Sequence, residues 1–335
     1  MVDRVSAKDT DWDGVRLHVV TGKGGTGKTT VAAALALALA AGGRKVLLVE
    51  VEGRQGIAQL FDVPPLPYEE RRVAVAPEGG EVYALAIDTE EALIEYLEMF
   101  YNLKRAGKAM SKLGIVDFVT TIAPGLRDVI LTGKTSESVR RKEKDGSFIY
   151  DAVVMDAPPT GRITKFLNVN DEVSGLAKAG PVRKHADTVM KVVRSPETAV
   201  HFVTLLEEMP VQETMDGIHD LTEVGLPVGG VIINMEHPPV LDAADLAAAA
   251  EGTLDHDEIV RDLKAAGLEH EAEAVAADLI AEAAEHAQRT ALQRREKERL
   301  EAIDRPQYVL PLLTDGMDLA GLYALAKALR EQGAA

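Results

Sequence analysis

The apolar positions of the chain follow two patterns that alternate along most of its length. Short, nearly continuous apolar runs are typical of strands buried on both faces of a sheet, and they are followed by segments with helical spacing. The predicted strands are 15–20, 44–51, 81–87, 148–155, 198–204, 226–234 and 308–310. Strands that alternate with helices in this way predict an α/β fold built on a doubly wound, mostly parallel sheet.

Three segments have helical patterns and little strand character, at about 90–145, 165–195 and 241–303. We expect them to be helical insertions in a single domain that spans residues 15–335, since a chain of this length suits one large α/β domain. Residues 1–14 are polar and charged, and we expect them to form a flexible leader.

The stretch between the first strand and the first helix reads GKGGTGKT at residues 22–29. It matches the phosphate-loop pattern of Gly, four residues, Gly, Lys and Ser or Thr, and it has the strand and helix on either side that the pattern requires. Glycines let backbone N–H groups turn towards phosphate, and the helix directs its positive end to the same place. The predicted phosphate-binding residues are Gly24, Gly25, Thr26, Gly27, Lys28, Thr29 and Thr30.

Two side chains of this loop have specific predicted roles. Lys28 should contact the β- and γ-phosphate oxygens, and the hydroxyl of Thr29 should ligate Mg²⁺. A second apolar strand ends at Asp156, and an aspartate in that position contacts the Mg²⁺ shell of phosphate-loop ATPases, here through water. No stretch resembles the Asn-Lys-x-Asp guanine-binding motif, so the predicted cofactors are ATP and Mg²⁺.

Lys23, directly after the first loop glycine, adds a residue that the general pattern does not require. The loop KGGTGKT resembles the deviant Walker A group, which includes ArsA, the tail-anchored-protein-targeting ATPases, MinD, ParA and the nitrogenase iron protein. The sequence DAPPTG at 156–161 resembles the second switch of ArsA and the targeting ATPases, and it narrows the resemblance to that family. The resemblance implies that Lys23 reaches across a dimer interface to the partner's nucleotide. The alternative is a solvated loop lysine.

The resemblance extends over most of the chain and implies an adenine site. VIIN at 231–234 is similar to a family strand whose terminal Asn reads the adenine, and LPL at 310–312 is similar to the loop that covers the base. Asn234 and Pro311 are therefore predicted nucleotide-binding residues. The alternative for Asn234 is a simple cap at the end of a strand.

Two features depart from the family pattern. The first switch of the family reads Asp-Pro-Ala-His, where this chain has EGRQ at 52–55, so Glu52 would replace the Asp that positions the attacking water. Small misplacements of such a group slow a reaction, so we expect slow or partner-dependent hydrolysis. The alternative for Glu52 is a charge near the next helix. The chain also has no cysteine, which excludes the thiol-based arsenite site of ArsA and the Cys-x-x-Cys zinc site of several targeting ATPases.

The net charge of −17 argues against a nucleic-acid partner or an anionic membrane surface. The N-terminus does not resemble a secretory signal, and no apolar run reaches the roughly 20 residues of a membrane span, so we expect a cytoplasmic protein. The expected partners are ATP, a second subunit and an unidentified protein client or membrane partner. The second subunit is either an identical chain or a related ATPase.

Two functions are compatible with these features. In the first, the chain is a dimeric ATPase switch in which Lys23, Lys28, Glu52 and Asp156 act in catalysis. In the second, it is a weakly hydrolysing, ATP-binding regulatory subunit of a heterodimer whose partner has the usual first switch. The intact Lys23, Lys28 and Asp156 favour the first function, and the altered sequence at 52–55 favours the second.

Overall fold

The computed structural model describes residues 12–101, 124–169, 181–238, 240–314 and 316–335. An eight-stranded sheet lies between two layers of helices, and a large apolar core fills each face of the sheet. The predicted α/β class with a mostly parallel sheet is therefore confirmed.

The strands pair in the order β3-β4-β2-β5-β1-β6-β7-β8. Every neighbouring pair is parallel except β3 and β4, which are antiparallel. Because β1 is central and the chain moves outward on both sides of it, the carboxyl ends of β1 and β5 form the crevice in which such sheets bind ligands. The strands are β1 (Leu17–Gly22), β2 (Lys45–Glu50), β3 (Arg71–Val75), β4 (Glu81–Ala86), β5 (Ala152–Asp156), β6 (Thr198–Thr204), β7 (Val228–Glu236) and β8 (Gln307–Pro311).

The first helix, α1, is almost entirely alanine, leucine and valine and is buried between the sheet and the last helix, α11. Helix α10 is the longest of the described helices, and no described helix is both long and apolar enough to cross a membrane. The helices are α1 (Lys28–Ala40), α2 (Gly56–Leu60), α3 (Thr89–Tyr101), α4 (Pro124–Arg140), α5 (Thr160–Leu167), α6 (Pro181–Val193), α7 (Glu208–Glu223), α8 (Ala243–Glu251), α9 (His256–Ala265), α10 (Ala272–Glu301) and α11 (Leu319–Glu331).

Seven strands lie where the apolar pattern predicts them, although β5 begins at Ala152 rather than at residue 148. Strand β3 was not predicted, because it is an edge strand whose first two residues are arginines. The three segments predicted to be helical contain α3 and α4, then the end of α5 and all of α6, then α8 to α10. Residues 102–123 and 170–180 of the predicted insertions lie outside the described residues.

The predicted flexible leader needs one correction. Residues 1–11 lie outside the described part of the chain, but Trp12 packs against the core next to α1. Its indole N–H donates a hydrogen bond to the hydroxyl of Tyr308 at 2.6 Å, and its ring stacks on His201 with centroids 4.6 Å apart. An aromatic side chain with this much contact anchors the last residues of the leader to the sheet.

Candidate functional site

The predicted phosphate loop connects the end of β1 to the beginning of α1. The carbonyl of Lys23 accepts hydrogen bonds from the backbone N–H of Thr26 at 3.3 Å and from its hydroxyl at 2.9 Å. The ammonium of Lys28 lies 3.5 Å from the same carbonyl. These contacts close the loop upon itself and place Gly24 and Gly25 on its outer turn, before the positive end of α1.

Asn234 supports the loop from within the protein. It is buried in β7, and its side-chain N–H donates to the carbonyl of Thr26 at 2.9 Å. Gly27 has a φ of 84°, and a Cβ there would lie 2.4 Å from that amide nitrogen, so only glycine allows this approach. The amide thus fixes the shape of the phosphate loop, and the adenine contact of Asn234 stays a prediction.

Thr29 and Asp156 form the polar centre of the site. The hydroxyl of Thr29 donates to one carboxylate oxygen of Asp156 at 2.6 Å. The second oxygen, Oδ1, is buried and has no hydrogen-bond partner among the described residues. Burial raises the pKa of Asp156 to about 6, although Thr29 and Lys28 oppose the shift. A buried carboxylate with a free oxygen beside a hydroxyl is a donor set that fits Mg²⁺, a cation that prefers oxygen ligands.

Lys28 is half-buried and has charged neighbours of opposite sign. Burial lowers its pKa from the usual value, while Asp156 and Glu52 both favour the charged form. The site therefore brings one ammonium close to two carboxylates before any ligand is present. Phosphate oxygens would add the negative charge that a buried lysine and a helix N-terminus both favour.

Lys23 forms an ion pair within its own chain. Its ammonium lies 2.7 Å from a carboxylate oxygen of Glu213 on α7, and both side chains are about one-third exposed. Sequence reasoning did not find this partner, because 190 residues separate the two side chains. The pair holds Lys23 at the rim of the site, on the side of α7.

Glu52 lies in the loop after β2, with its carboxylate 3.7 Å from the guanidinium of Arg54. The carboxylate also lies within electrostatic range of Lys28 and Asp156. The structure therefore places this carboxylate near the phosphate loop. The contact of Glu52 with a water molecule stays a prediction.

Glu50 is the residue of the site that sequence reasoning missed. It is buried at the end of β2, opposite Asp156 of β5 in the sheet register. Its carboxylate accepts hydrogen bonds from the backbone N–H groups of Gln55 at 2.5 Å and Ile57 at 3.2 Å. Glu50 thereby anchors the loop that carries Glu52. A charged residue at the end of an otherwise apolar strand was the signal in the sequence.

Pro311 lies at the end of β8, beside Glu236 in the register of β7. The backbone N–H of Leu312 donates to the carbonyl of Glu236 at 3.0 Å, which brings this segment close to Asn234 and to the phosphate loop. The two predicted adenine-site residues therefore lie at or near the carboxyl ends of adjacent strands. A contact between Pro311 and the base stays a prediction.

Comparison with known proteins identifies the family of the chain. Residues 15–195 match the family described as anion-transporting ATPase. The chain is 56% identical over 320 residues to ATPase BagA of Mycobacterium tuberculosis, a match that covers 96% of this chain and 94% of that protein. It is 26% identical over 259 residues to the arsenical pump-driving ATPase of Acidiphilium multivorum, covering 69% of this chain and 41% of that protein. The chain is a member of the ArsA-like, anion-transporting ATPase family.

Proposed function

We propose that this chain is a Mg·ATP-dependent ATPase that switches a dimer between an open and a closed state. The observation that carries the proposal is the hydrogen bond from Thr29 to Asp156, with a free carboxylate oxygen beside it and Lys28 nearby. These groups lie between a phosphate loop and the end of a parallel strand, where ATPases of this class hold the metal and the terminal phosphates.

Each residue of the site has a definite task in this proposal. The backbone of residues 24–30 cradles the phosphates, and Lys28 neutralises charge on the β- and γ-phosphate oxygens. Thr29 and Asp156 hold Mg²⁺, which supplies further neutralisation of phosphate charge when it is bound. Glu52 orients the attacking water, and Glu50 fixes the loop that determines where Glu52 lies.

Lys23 connects hydrolysis to the second subunit. In the single chain it is paired with Glu213. In the proposed closed dimer Lys23 leaves this pair and contacts the phosphates bound by the partner, where a cation stabilises the charge that develops during phosphoryl transfer. ATP would thus favour the closed dimer and hydrolysis would favour the open one, which is a ligand-driven population shift.

The partner that the switch serves is a protein client or a membrane component. A relative is named as an arsenical pump-driving ATPase. This chain has no cysteine with which to form arsenic–thiolate bonds. We therefore assign it the ATPase cycle of the family without arsenite as the activating ligand.

A second candidate is a weakly hydrolysing subunit of a heterodimer. The observation that favours it is the altered first switch, in which Glu52 faces Arg54 at 3.7 Å. The positive charge of this arginine attracts the carboxylate and so opposes its interaction with the attacking water. A related subunit with the usual switch would then carry out most of the hydrolysis.

Steady-state ATP hydrolysis of the full chain, with light scattering in the presence and absence of a non-hydrolysable ATP analogue, separates the two candidates. Wild type is compared with Lys23→Ala, Lys28→Ala and Glu52→Gln, and with Lys327→Ala as an exposed control lysine on α11. Turnover that is lost in all three site variants but kept in the control, together with an analogue-dependent dimer, supports the switch. Tight ATP binding without turnover or dimer formation would contradict it and favour the heterodimer.

A further inference from the structure

A polar cleft of about 220 Å³ lies beside the proposed ATP site and shares only Glu52 with it. It is lined by the loop after β2, the first turns of α4, and helix α5 with the segment before it. Three arginines from these three separate segments face it, namely Arg54, Arg127 and Arg162, together with the carboxylates of Glu52 and Asp128. The charged side chains of the cleft thus carry a net positive charge in a protein whose net charge is −17.

The arginines of the cleft are incompletely paired. The guanidinium of Arg162 lies 3.7 Å from Asp128, and that of Arg54 lies 3.7 Å from Glu52, so both ion pairs are longer than a hydrogen bond. The Nε of Arg127 is buried and has no hydrogen-bond partner within the part of the chain that the structure describes. A buried donor of this kind is rare in proteins unless a ligand or water completes it.

We propose that this cleft is a second ligand site, which binds a small phosphate-bearing anion through Arg54, Arg127 and Arg162. Guanidinium groups present several N–H donors in a planar array, and they bind phosphate oxygens in pairs. Three of them converging from different segments recognise a tetrahedral anion from several sides. The long ion pairs of Arg54 and Arg162, and the unpartnered Nε of Arg127, leave these arginines able to donate to such a ligand.

The position of the cleft suggests what its occupancy does. One wall contains Glu52, the proposed water-positioning group, and another contains Pro158 of the DAPPTG segment and Arg162, which directly follows that segment. An anion that binds Arg54 withdraws it from Glu52. Occupancy would therefore change the charge around the attacking water. This consequence, unlike the binding site itself, rests on the proposed ATPase function.

Equilibrium dialysis with radiolabelled inorganic phosphate at constant ionic strength tests the site directly. It is run once on wild type saturated with Mg²⁺ and a non-hydrolysable ATP analogue, which blocks the phosphate loop. A second run uses nucleotide-free Lys28→Ala, so that the test does not require nucleotide binding. Phosphoserine, measured by competition, shows whether the natural anion is inorganic phosphate or an organic phosphate.

We expect one phosphate or phosphoserine per chain in both runs, and about tenfold weaker binding in Arg127→Gln and in Arg162→Gln, since each loses charge-assisted hydrogen bonds. Arg71→Gln is the matched control, because Arg71 and Arg162 are both 56% exposed and both have a long ion pair. Stronger competition by phosphoserine identifies an organic phosphate, and equal or weaker competition identifies inorganic phosphate.

Two results would overturn the proposal. One is the absence of phosphate binding in both runs. The other is binding that Arg71→Gln weakens as much as the cleft variants do, since that would be a general effect of charge. A chain that binds phosphate in the cleft but does not bind ATP would overturn the proposed function and leave the second site intact.

Discussion

Buried ionisable groups lie at both ends of strand β1, and their pKa values are shifted in opposite directions. At the carboxyl end, Asp156 is buried with one oxygen unpaired, and its pKa is raised to about 6. Nearer the amino end, the rings of His18 and His201 stack beneath Trp12, with a nitrogen of each ring 3.1 Å apart. Burial lowers the pKa of His18 to about 3 and that of His201 well below its usual value. At the carboxyl end an acceptor, Oδ1 of Asp156, is without a hydrogen-bond partner among the described residues, whereas in the histidine pair three of the four ring nitrogens are paired and only Nε2 of His18 is not.

The histidine pair has a defined protonation state. The backbone N–H of Gly230 donates to Nδ1 of His201 at 3.1 Å, so the proton of His201 lies on Nε2 and is donated to His18. A Cβ at Gly229 would lie 2.6 Å from His201 Nδ1, which explains a glycine within β7. The comparison teaches that an unpaired buried atom is not enough to mark a site: Asp156 differs from the histidines because its free oxygen lies beside the Thr29 hydroxyl and the phosphate loop.

The two ends also respond to pH with opposite signs. Between the unfolded and folded pKa values of the histidines, the unfolded chain binds more protons, so stability falls as the pH is lowered below about 6.5. Asp156 has a folded pKa above its unfolded one, so between about 6 and 3.8 the folded chain binds more protons and stability rises as the pH is lowered.

The largest expected effect is that of Asp156→Asn, which separates activity from stability. We expect hydrolysis to fall at least ~100-fold, because the metal loses an anionic partner. The nucleotide-free protein should become more stable at pH 7 by up to roughly 3 kcal/mol, since the cost of the buried charge is removed. Urea denaturation and steady-state hydrolysis measure the two effects. An inactive variant that is also less stable would show that Asp156 is a structural residue like the histidines.

The double variant His18→Leu/His201→Leu tests the other end of β1. We expect its stability at pH 7 to fall by about 2–4 kcal/mol, because the backbone N–H of Gly230 loses its acceptor and the stack loses its shape. The loss of stability on going from pH 7 to pH 4 should shrink by roughly 6 kcal/mol, about 3 kcal/mol for each of the two titrating groups that are gone. Denaturation at both pH values measures the change. An unchanged pH dependence would contradict the assignment of neutral, buried histidines.

Glu50→Gln should have an intermediate effect on turnover. The amide keeps one acceptor for the loop after β2 but loses the charge-assisted bonds to Gln55 and Ile57. We expect kcat to fall about tenfold with little change in the affinity for ATP, because Glu52 is less precisely placed. Steady-state kinetics and calorimetric titration with the analogue measure the two quantities. Loss of affinity instead of kcat would place Glu50 in nucleotide binding.

Glu213→Gln should have the smallest effect. The Lys23–Glu213 pair is partly exposed, so its removal should change stability by less than about 1 kcal/mol. Because Lys23 is then free for the partner, the analogue-dependent dimer should form at a few-fold lower protein concentration. Light scattering over a dilution series detects this shift. Gln212→Glu on the same helix serves as a control that does not release Lys23. Weaker dimer formation in Glu213→Gln would show that Glu213 itself contributes to the interface.

The sequence predicted the features that local patterns determine. The phosphate loop, Lys28, Thr29 and Asp156 occur in contiguous motifs, and the apolar runs that form β1 and β6 are long enough to identify buried strands. The structure brings these motifs together because parallel strands β1 and β5 are neighbours in the sheet.

The features that the sequence did not predict depend on long-range pairing. Strand β3 forms through its antiparallel pairing with β4, and its own residues do not show the apolar pattern of a buried strand. Glu50 has a role only because its register places it opposite Asp156. The arginine cleft combines three arginines that are more than 30 residues apart from one another in the chain. No local pattern signals such a combination.

The central claim is that Mg·ATP binds at the carboxyl end of β1. Ligand-induced stabilisation tests this claim most directly. The melting temperature of wild type and of Asp156→Asn is measured with ATP in the presence of either Mg²⁺ or a chelator. We predict that Mg²⁺ increases the stabilisation of wild type by ATP, and that this increase is absent in Asp156→Asn. Equal stabilisation with and without Mg²⁺ in wild type, or an undiminished effect of Mg²⁺ in the variant, would contradict the claim.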